Sequence, residues 1–136
     1  MPTHLDPKQV RPPFALYSHG VVVEAGARLL FCSGQLGVSP DDHVPDEAEA
    51  QADLCFANID AILEEASMGR EDIVRLNAYV TDRAHMAAYM AARDRYVEGL
   101  AHPPASTLMI VTGFTREIFK VEVEAIAASG QSRRSR

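Results

Sequence analysis

The chain has 136 residues, 47% of them hydrophobic and 24% charged, with a formal net charge of −6. That length suits one domain with a real core, and the balance excludes a disordered chain or a membrane span of ~20 apolar residues. The negative charge disfavours general binding to a phosphate backbone, which requires lysine and arginine to displace counterions.

Residues 1 to 13 carry Pro2, Pro7, Pro12 and Pro13. Proline removes backbone donors and blocks helix, so this segment reads as an extended arm. It has no apolar stretch of the kind a signal peptide needs, and cytoplasm is the default expectation. A single domain is expected over residues 14 to 128. Val21, Val22 and Val23 favour strand, Gly26 supplies a turn, and "LLFCSG" reads as the second strand of a hairpin. The stretch "GQLGVSPDDHVP" is a loop.

A helix is predicted from about Asp46 to Met68. Ala52, Cys55, Ile59, Ile62, Leu63 and Ala66 form one apolar stripe, and Gly69 is expected to end it. "DIVRLNAYV" alternates as a strand. Val74, Leu76, Ala78 and Val80 share one face. Ile73, Arg75, Asn77 and Tyr79 share the other, which is too mixed for a dry core and suits an oligomer interface or a cleft. Thr81 or Asp82 can cap a second helix running to about Leu100. Its stripe of Met86, Tyr89, Arg93, Tyr96 and Leu100 includes an arginine. Arg93 either snorkels, with its stem packed and its head in water, or contacts an anion at the rim of a cleft. Gly99, Pro103 and Pro104 end this helix. "ASTLMIV" and "FKVEVEAIA" are the last two strands, and residues 129 to 136 read as a disordered basic tail. The predicted order is β-β-α-β-α-β-β, an α+β sheet with two helices on one face.

Few residues carry chemistry. Glu122 and Glu124 lie two apart on a strand and face the same side. They are either a solvated strand face or, if another subunit covers them, a desolvated carboxylate able to act as general acid or base. Ser33 and Gly34 sit at a strand end, where a hydroxyl and an approachable backbone N–H suit a carbonyl or carboxylate oxygen. Turn chemistry explains the same pair. Tyr17 lines a pocket or packs on the next element. The five histidines form no metal-ligand spacing, and no metal site is expected. The two cysteines read as buried thiols.

Taken in order, "LYSHGV", "LLFCSGQLG", "QADLCFANIDAILEEAS", "DIVRLNAYVTD", "PPAST" and "KVEVEAIA" resemble the YjgF/RidA family, also described as L-PSP endoribonucleases. The resemblance covers Pro13 to Ala128. It implies a chorismate-mutase-like fold whose open sheet faces pack into the central barrel of a homotrimer, with ligand clefts between subunits. It also implies hydrolysis of reactive enamines and imines, such as 2-aminoacrylate, to 2-keto acids and ammonia, with no metal and no organic cofactor. By the same resemblance, Tyr17 is a pocket residue and Ser33 and Gly34 lie near the ligand. Glu122 positions or activates the attacking water, and Glu124 is its structural neighbour. One departure stands out. Deaminating members carry P-A-R-S/T, whose arginine grips a substrate carboxylate. Here Ser106 stands in that register and Thr107 follows it. Either the substrate differs from 2-aminoacrylate at that point, or another cation serves, Arg93 before Arg75. His19 also replaces a Gln-like residue, and "TGF" replaces a proline-containing turn. The expected function is therefore a Rid-like deaminase with a small imine, enamine or carbonyl ligand and no membrane partner. The alternatives are a non-catalytic trimer that binds a metabolite, and RNA cleavage, which the charge disfavours.

Overall fold

A computed structural model describes residues 2–130. The elements run β1 (Thr3–Leu5), β2 (Gly20–Val22), β3 (Arg28–Leu36), α1 (Ala48–Glu65), β4 (Ile73–Val80), α2 (Met86–Val97), β5 (Ala105–Ile110) and β6 (Val121–Ser129). β3 to β6 form one four-stranded sheet in the order β3-β6-β4-β5. β6 is antiparallel to both neighbours, while β5 is parallel to β4. Parallel neighbours require a crossover, and α2 supplies it. The result is the expected α+β architecture.

Alternation along the strands builds two unlike faces. On β4, Leu76, Ala78 and Val80 are fully buried beneath the helices. On β6, Val121, Val123, Ala125 and Ala127 do the same. The intervening residues, Arg75, Asn77 and Tyr79 on β4 and Glu122 and Glu124 on β6, lie half-buried on the face without helices. That face also exposes Leu29 and Phe31 of β3 and Met109 of β5.

The helices cover their side with Cys55, Phe56, Ile59 and Leu63 from α1 and Tyr89, Ala92 and Tyr96 from α2. The Phe56 ring stacks on Tyr96 at 4.3 Å and on Tyr89 at 6.0 Å, which locks the two helices together. Asp82 accepts from the Ala84 amide at 2.8 Å and caps the short helical turn leading into α2.

Several local expectations change. β3 does not end at Ser33 and Gly34 but runs on through them to Leu36, and α2 stops at Val97 rather than near Leu100. β2 does not pair with β3. It pairs with β1 instead, so the proline-rich arm contributes a strand and the valine hairpin does not form. β3 instead gains its ladder from β6, whose longer apolar run matches it along most of its length. α1 ends at Glu65 rather than at Gly69: Ser67 takes the left-handed position at φ 59°, with the Met68 amide donating to Leu63 O and the Ser67 amide to Glu64 O. This is a Schellman closure with serine where glycine is usual. Gly69 is extended and starts the next turn. Finally, Ser129 belongs to β6, paired with Arg28, and is not part of a tail. The basic segment from residue 131 lies outside the described residues.

Candidate functional site

Glu122 is positioned by its strand neighbours. It pairs with Tyr79 on one side and Leu36 on the other. The β3 ladder slips between Cys32 and Gln35, so Ser33 and Gly34 form an irregularity beside it. Gly34 matters here for close approach: a Cβ at this position would lie 2.6 Å from Glu122 Oε2 and 2.7 Å from its Cδ. The Glu122 carboxyl therefore rests directly on the β3 backbone, and any larger residue would displace it.

The two carboxylates of β6 live in different surroundings. Glu124 accepts from the Tyr79 hydroxyl at 2.6 Å and from Asn77 Nδ2 at 3.2 Å. The Tyr79 hydroxyl is in turn held above its usual range, because it donates to that carboxylate. Glu122 receives no hydrogen bond from the described residues. Its pKa is raised, first by burial and then by the charge of Glu124. One carboxylate accepts two side-chain hydrogen bonds while its neighbour accepts none from the described residues and has its pKa raised, a difference of surroundings that can separate a structural acid from a working one.

Ser33 is exposed and borders a depression of about 300 Å³ on the open face, together with Phe31, Asn77, Glu124 and Ile126. A slightly larger hollow of about 320 Å³ lies at the opposite end of β6, around Gly26 and Ser129, and includes none of the predicted site residues.

The remaining predicted residues gather where the N-terminal segment meets β5. Ser18 is buried, donates its hydroxyl to Pro103 O at 2.5 Å and its amide to Pro104 O at 3.0 Å, and bridges to Ala105. That bridge brings Tyr17 and His19 alongside the start of β5. The Tyr17 hydroxyl accepts from the Phe14 amide at 3.2 Å, and its ring meets His19 edge-on at 5.7 Å.

Arg93 reaches this region from α2, with Nη1 donating to Ser106 Oγ at 3.3 Å. Its side chain is only 2% exposed, so it neither snorkels into water nor stands on an open rim. The helix stripe carries the whole guanidinium into the α2–β5 layer. Arg75 goes elsewhere. It pairs with Ala105 in register, projects onto the open face and donates to Thr107 Oγ1 at 2.7 Å. Ser106 pairs with buried Leu76 and so belongs to the helix side of the sheet. Of the two candidate cations, Arg93 is the one that meets Ser106.

The seven predicted residues thus form two groups. Glu122, Ser33 and Gly34 are at one end of β6 and β3. Tyr17, Ser106 and Arg93 are at the start of β5, with Thr107 on the opposite face. The register places Ser106 two strands and three residues from Glu122, a separation of about 14 Å at normal strand spacing. One protomer does not bring the two groups together.

Other chemistry finds little support in the arrangement. Both cysteines are buried, and burial, with the charge of Glu122 second, pushes the Cys55 thiol up to about 12. A thiol so disfavoured as thiolate is a poor nucleophile. Among the described residues no cluster of three or more His, Cys, Asp or Glu side chains could hold a metal, and no helix is long and apolar enough to cross a membrane.

One positioning residue was not expected from sequence. Gln51, fully buried on α1, donates to Pro45 O at 2.9 Å and Ile118 O at 2.8 Å, and accepts from the Lys120 amide at 2.8 Å. It fastens the entry to β6 two residues before Glu122. The available signal was a glutamine at helical spacing among Ala48, Ala52 and Cys55 on a buried stripe.

This geometry has known relatives. Residues 8–129 match the family model described as Endoribonuclease L-PSP. A RutC family protein of Aquifex aeolicus is 32% identical over 85% of this chain and 90% of its own length. TdcF of Escherichia coli, provisionally named a reactive intermediate deaminase, is 29% identical over 86% of this chain and 91% of its own. Among solved structures, a Rid family protein from Yersinia pestis superimposes with a TM-score of 0.84 at 27% identity, covering 94% of this chain and 98% of that one. TdcF with bound serine superimposes at 0.71 and 25% identity, covering 94% and 99%. The chain belongs to the YjgF/RidA family.

Proposed function

We propose that this protein is a hydrolytic deaminase of reactive enamine or imine intermediates, and that it works as a homotrimer with its site between subunits. The observation that carries the reading is the Glu122 carboxyl, seated on Gly34, without a hydrogen-bond donor among the described residues and raised in pKa, beside a Glu124 that accepts two hydrogen bonds. A carboxylate whose pKa is raised is a stronger base toward water than an ordinary one, and its acid form can return the proton.

In this mechanism Glu122 draws a proton from water as the water oxygen bonds to the imine carbon. The C=N π pair moves to nitrogen, to which Glu122 passes the proton it took from water, and a neutral carbinolamine forms with Glu122 again a carboxylate. Glu122 then removes the carbinolamine hydroxyl proton as C=O forms and delivers it to nitrogen as the C–N bond breaks. Ammonia and a carbonyl compound leave, one water consumed for each imine. An enamine enters the same path after tautomerising to the imine. The exposed Ser33 hydroxyl and the backbone at Gly34 border the reacting atoms, and Tyr17 and Ser106 of an adjacent subunit close the other side.

The 14 Å division of the site residues supports the trimer part of this reading, as do the exposed Leu29, Phe31 and Met109 on the open face. Leu29 and Phe31 make one exposed apolar edge on β3, and Met109 lies at the opposite edge on β5; exposed apolar surface of this kind marks an association site. The net charge of −6 weighs against RNA as the substrate.

Ammonia release from imines generated in solution tests the proposal. We expect Glu122→Gln to lose about a hundredfold or more in rate, with fold and assembly unchanged. Gly34→Ala should lose about tenfold, because its Cβ displaces the same carboxyl. Wild-type protein that accelerates no imine, or that does no better than Glu122→Gln, would remove Glu122 from the mechanism and leave a ligand-binding trimer.

A further inference from the structure

The layer between α2 and β5 contains an unusual polar group for a protein interior. Arg93 is 2% exposed. Each of its three guanidinium nitrogens has one acceptor at long range: Nε and Nη2 reach Asp94 Oδ1 at 3.4 and 3.3 Å, and Nη1 reaches Ser106 Oγ at 3.3 Å. One turn earlier on the same helix stripe, the fully buried Tyr89 hydroxyl has no partner among the described residues. Burial holds that phenol protonated. The layer therefore has more donors than acceptors.

Two facts decide what could complete it. The guanidinium cannot make direct two-point contact with a carboxylate, since it is enclosed and its charge already faces Asp94. Ser106, by contrast, is half-buried, and its oxygen accepts from Arg93. The Ser106 hydroxyl hydrogen has no acceptor in the described structure, so it is available to point outward. Donation from a cation polarises the hydroxyl and makes it a stronger donor in turn.

We infer that Arg93 and Ser106 act as a relayed hydrogen-bond donor for a neutral carbonyl oxygen, so that the substrate class is an imine or enamine bearing an amide, ester or ketone rather than a free carboxylate. A single hydroxyl donor suits a single neutral acceptor. It offers neither the second hydrogen bond nor the uncompensated charge that a carboxylate needs for tight binding. Arg93 is here a positioning residue acting through Ser106. The inference rests on the deaminase reading for the reacting carbon, but the subsite can be measured without turnover.

The test compares two isosteric pairs on the full-length protein. Calorimetry measures binding of pyruvamide against pyruvate. Ammonia release compares 2-iminopropanamide, made in solution by elimination of HCl from N-chloroalaninamide, with 2-iminopropanoate, made by oxidation of alanine with an amino-acid oxidase and oxygen in the presence of catalase. We expect at least a tenfold preference for the amide in both assays. Ser106→Ala should bring the binding ratio close to one, Ser106→Arg should reverse it, and Arg93→Met should reduce it with Ser106 intact. A wild-type preference for the carboxylate, equal binding, no binding of either, or a preference that survives Ser106→Ala overturns the subsite. Amide-selective binding that depends on Ser106 but accompanies no imine hydrolysis retains the subsite and discards the deaminase reading. Hydrolysis that favours the carboxylate does the reverse.

Discussion

The two faces of the β3–β6 sheet are made from the same strands and behave as different materials. On the helix side, Leu76, Ala78, Val80, Val121 and Val123 are sealed from water. On the other side the alternate residues of the same strands are Arg75, Asn77, Tyr79, Glu122 and Glu124, beside Phe31 at 70% exposure. The first face carries the stability of the protomer. The second is too polar to be a core and too apolar to be a finished surface, and it holds the carboxylates. A period-two pattern therefore divides the strands: one residue in each pair supports the fold and the next is left half-buried on the open face, where the proposed site and interface lie.

The strongest way to break this contrast is to charge the open face. On the trimer proposed above, Phe31→Arg is expected to leave only monomer by light scattering, where wild type is the trimer, while the far-ultraviolet dichroism stays unchanged. Deaminase activity should disappear with it, since the two residue groups then lie in separate molecules. An assembled Phe31→Arg protein would show that the open face is not the interface.

The reciprocal change is on the covered face. Leu76→Ala removes a fully buried side chain and should cost about 2–5 kcal/mol in chemical denaturation, with assembly retained in the folded fraction. A loss under about 1 kcal/mol would mean that the layer collapses around the gap instead of keeping a cavity.

A smaller effect sharpens the polar side. The Glu122 carboxyl has a raised folded-state pKa, so the folded protein holds its proton more tightly than the unfolded chain does. That contribution is fully present at low pH and is lost as pH rises from near 4.5, the ordinary value of the free side chain, through the raised folded value. Glu122→Gln should therefore gain more in melting temperature over wild type at pH 7 than at pH 4. An equal difference at both pH values would indicate that the group is not desolvated in the native assembly.

The smallest expected effect concerns the helix that closes the covered face. Ser67 occupies a left-handed conformation at φ 59°, where glycine is unstrained. Ser67→Gly should stabilise the protein by about 0.5 kcal/mol, the relief of strain partly offset by greater freedom in the unfolded chain.

Much of this architecture was legible beforehand. The split of "IVRLNAYV" into a dry and a mixed face follows from alternation alone, and both helices follow from their stripes. The β1–β2 pairing was not legible, because the arm is proline-rich and its partner lies across a long loop. Nor was the end of α1. Gly69 is the better residue for a left-handed cap, but the chain turns two residues earlier, where Met68 can bury against the core. In the site, Glu122 and Ser106 could be named from their motifs. The buried state of Arg93 could not, since a helix stripe says which side a residue faces but not how deeply the neighbouring strand encloses it.

By itself, then, the sequence determined the period of each element, the side of the sheet that each residue takes and the negative charge that argues against nucleic acid. Those properties are local or summed along the chain. Only the tertiary structure decided that Glu122 lies on the Gly34 backbone, that Arg93 rather than Arg75 meets Ser106, and that the two groups of site residues stand apart. These depend on strand register and on a bulge in β3, which arise from pairing residues distant in the chain.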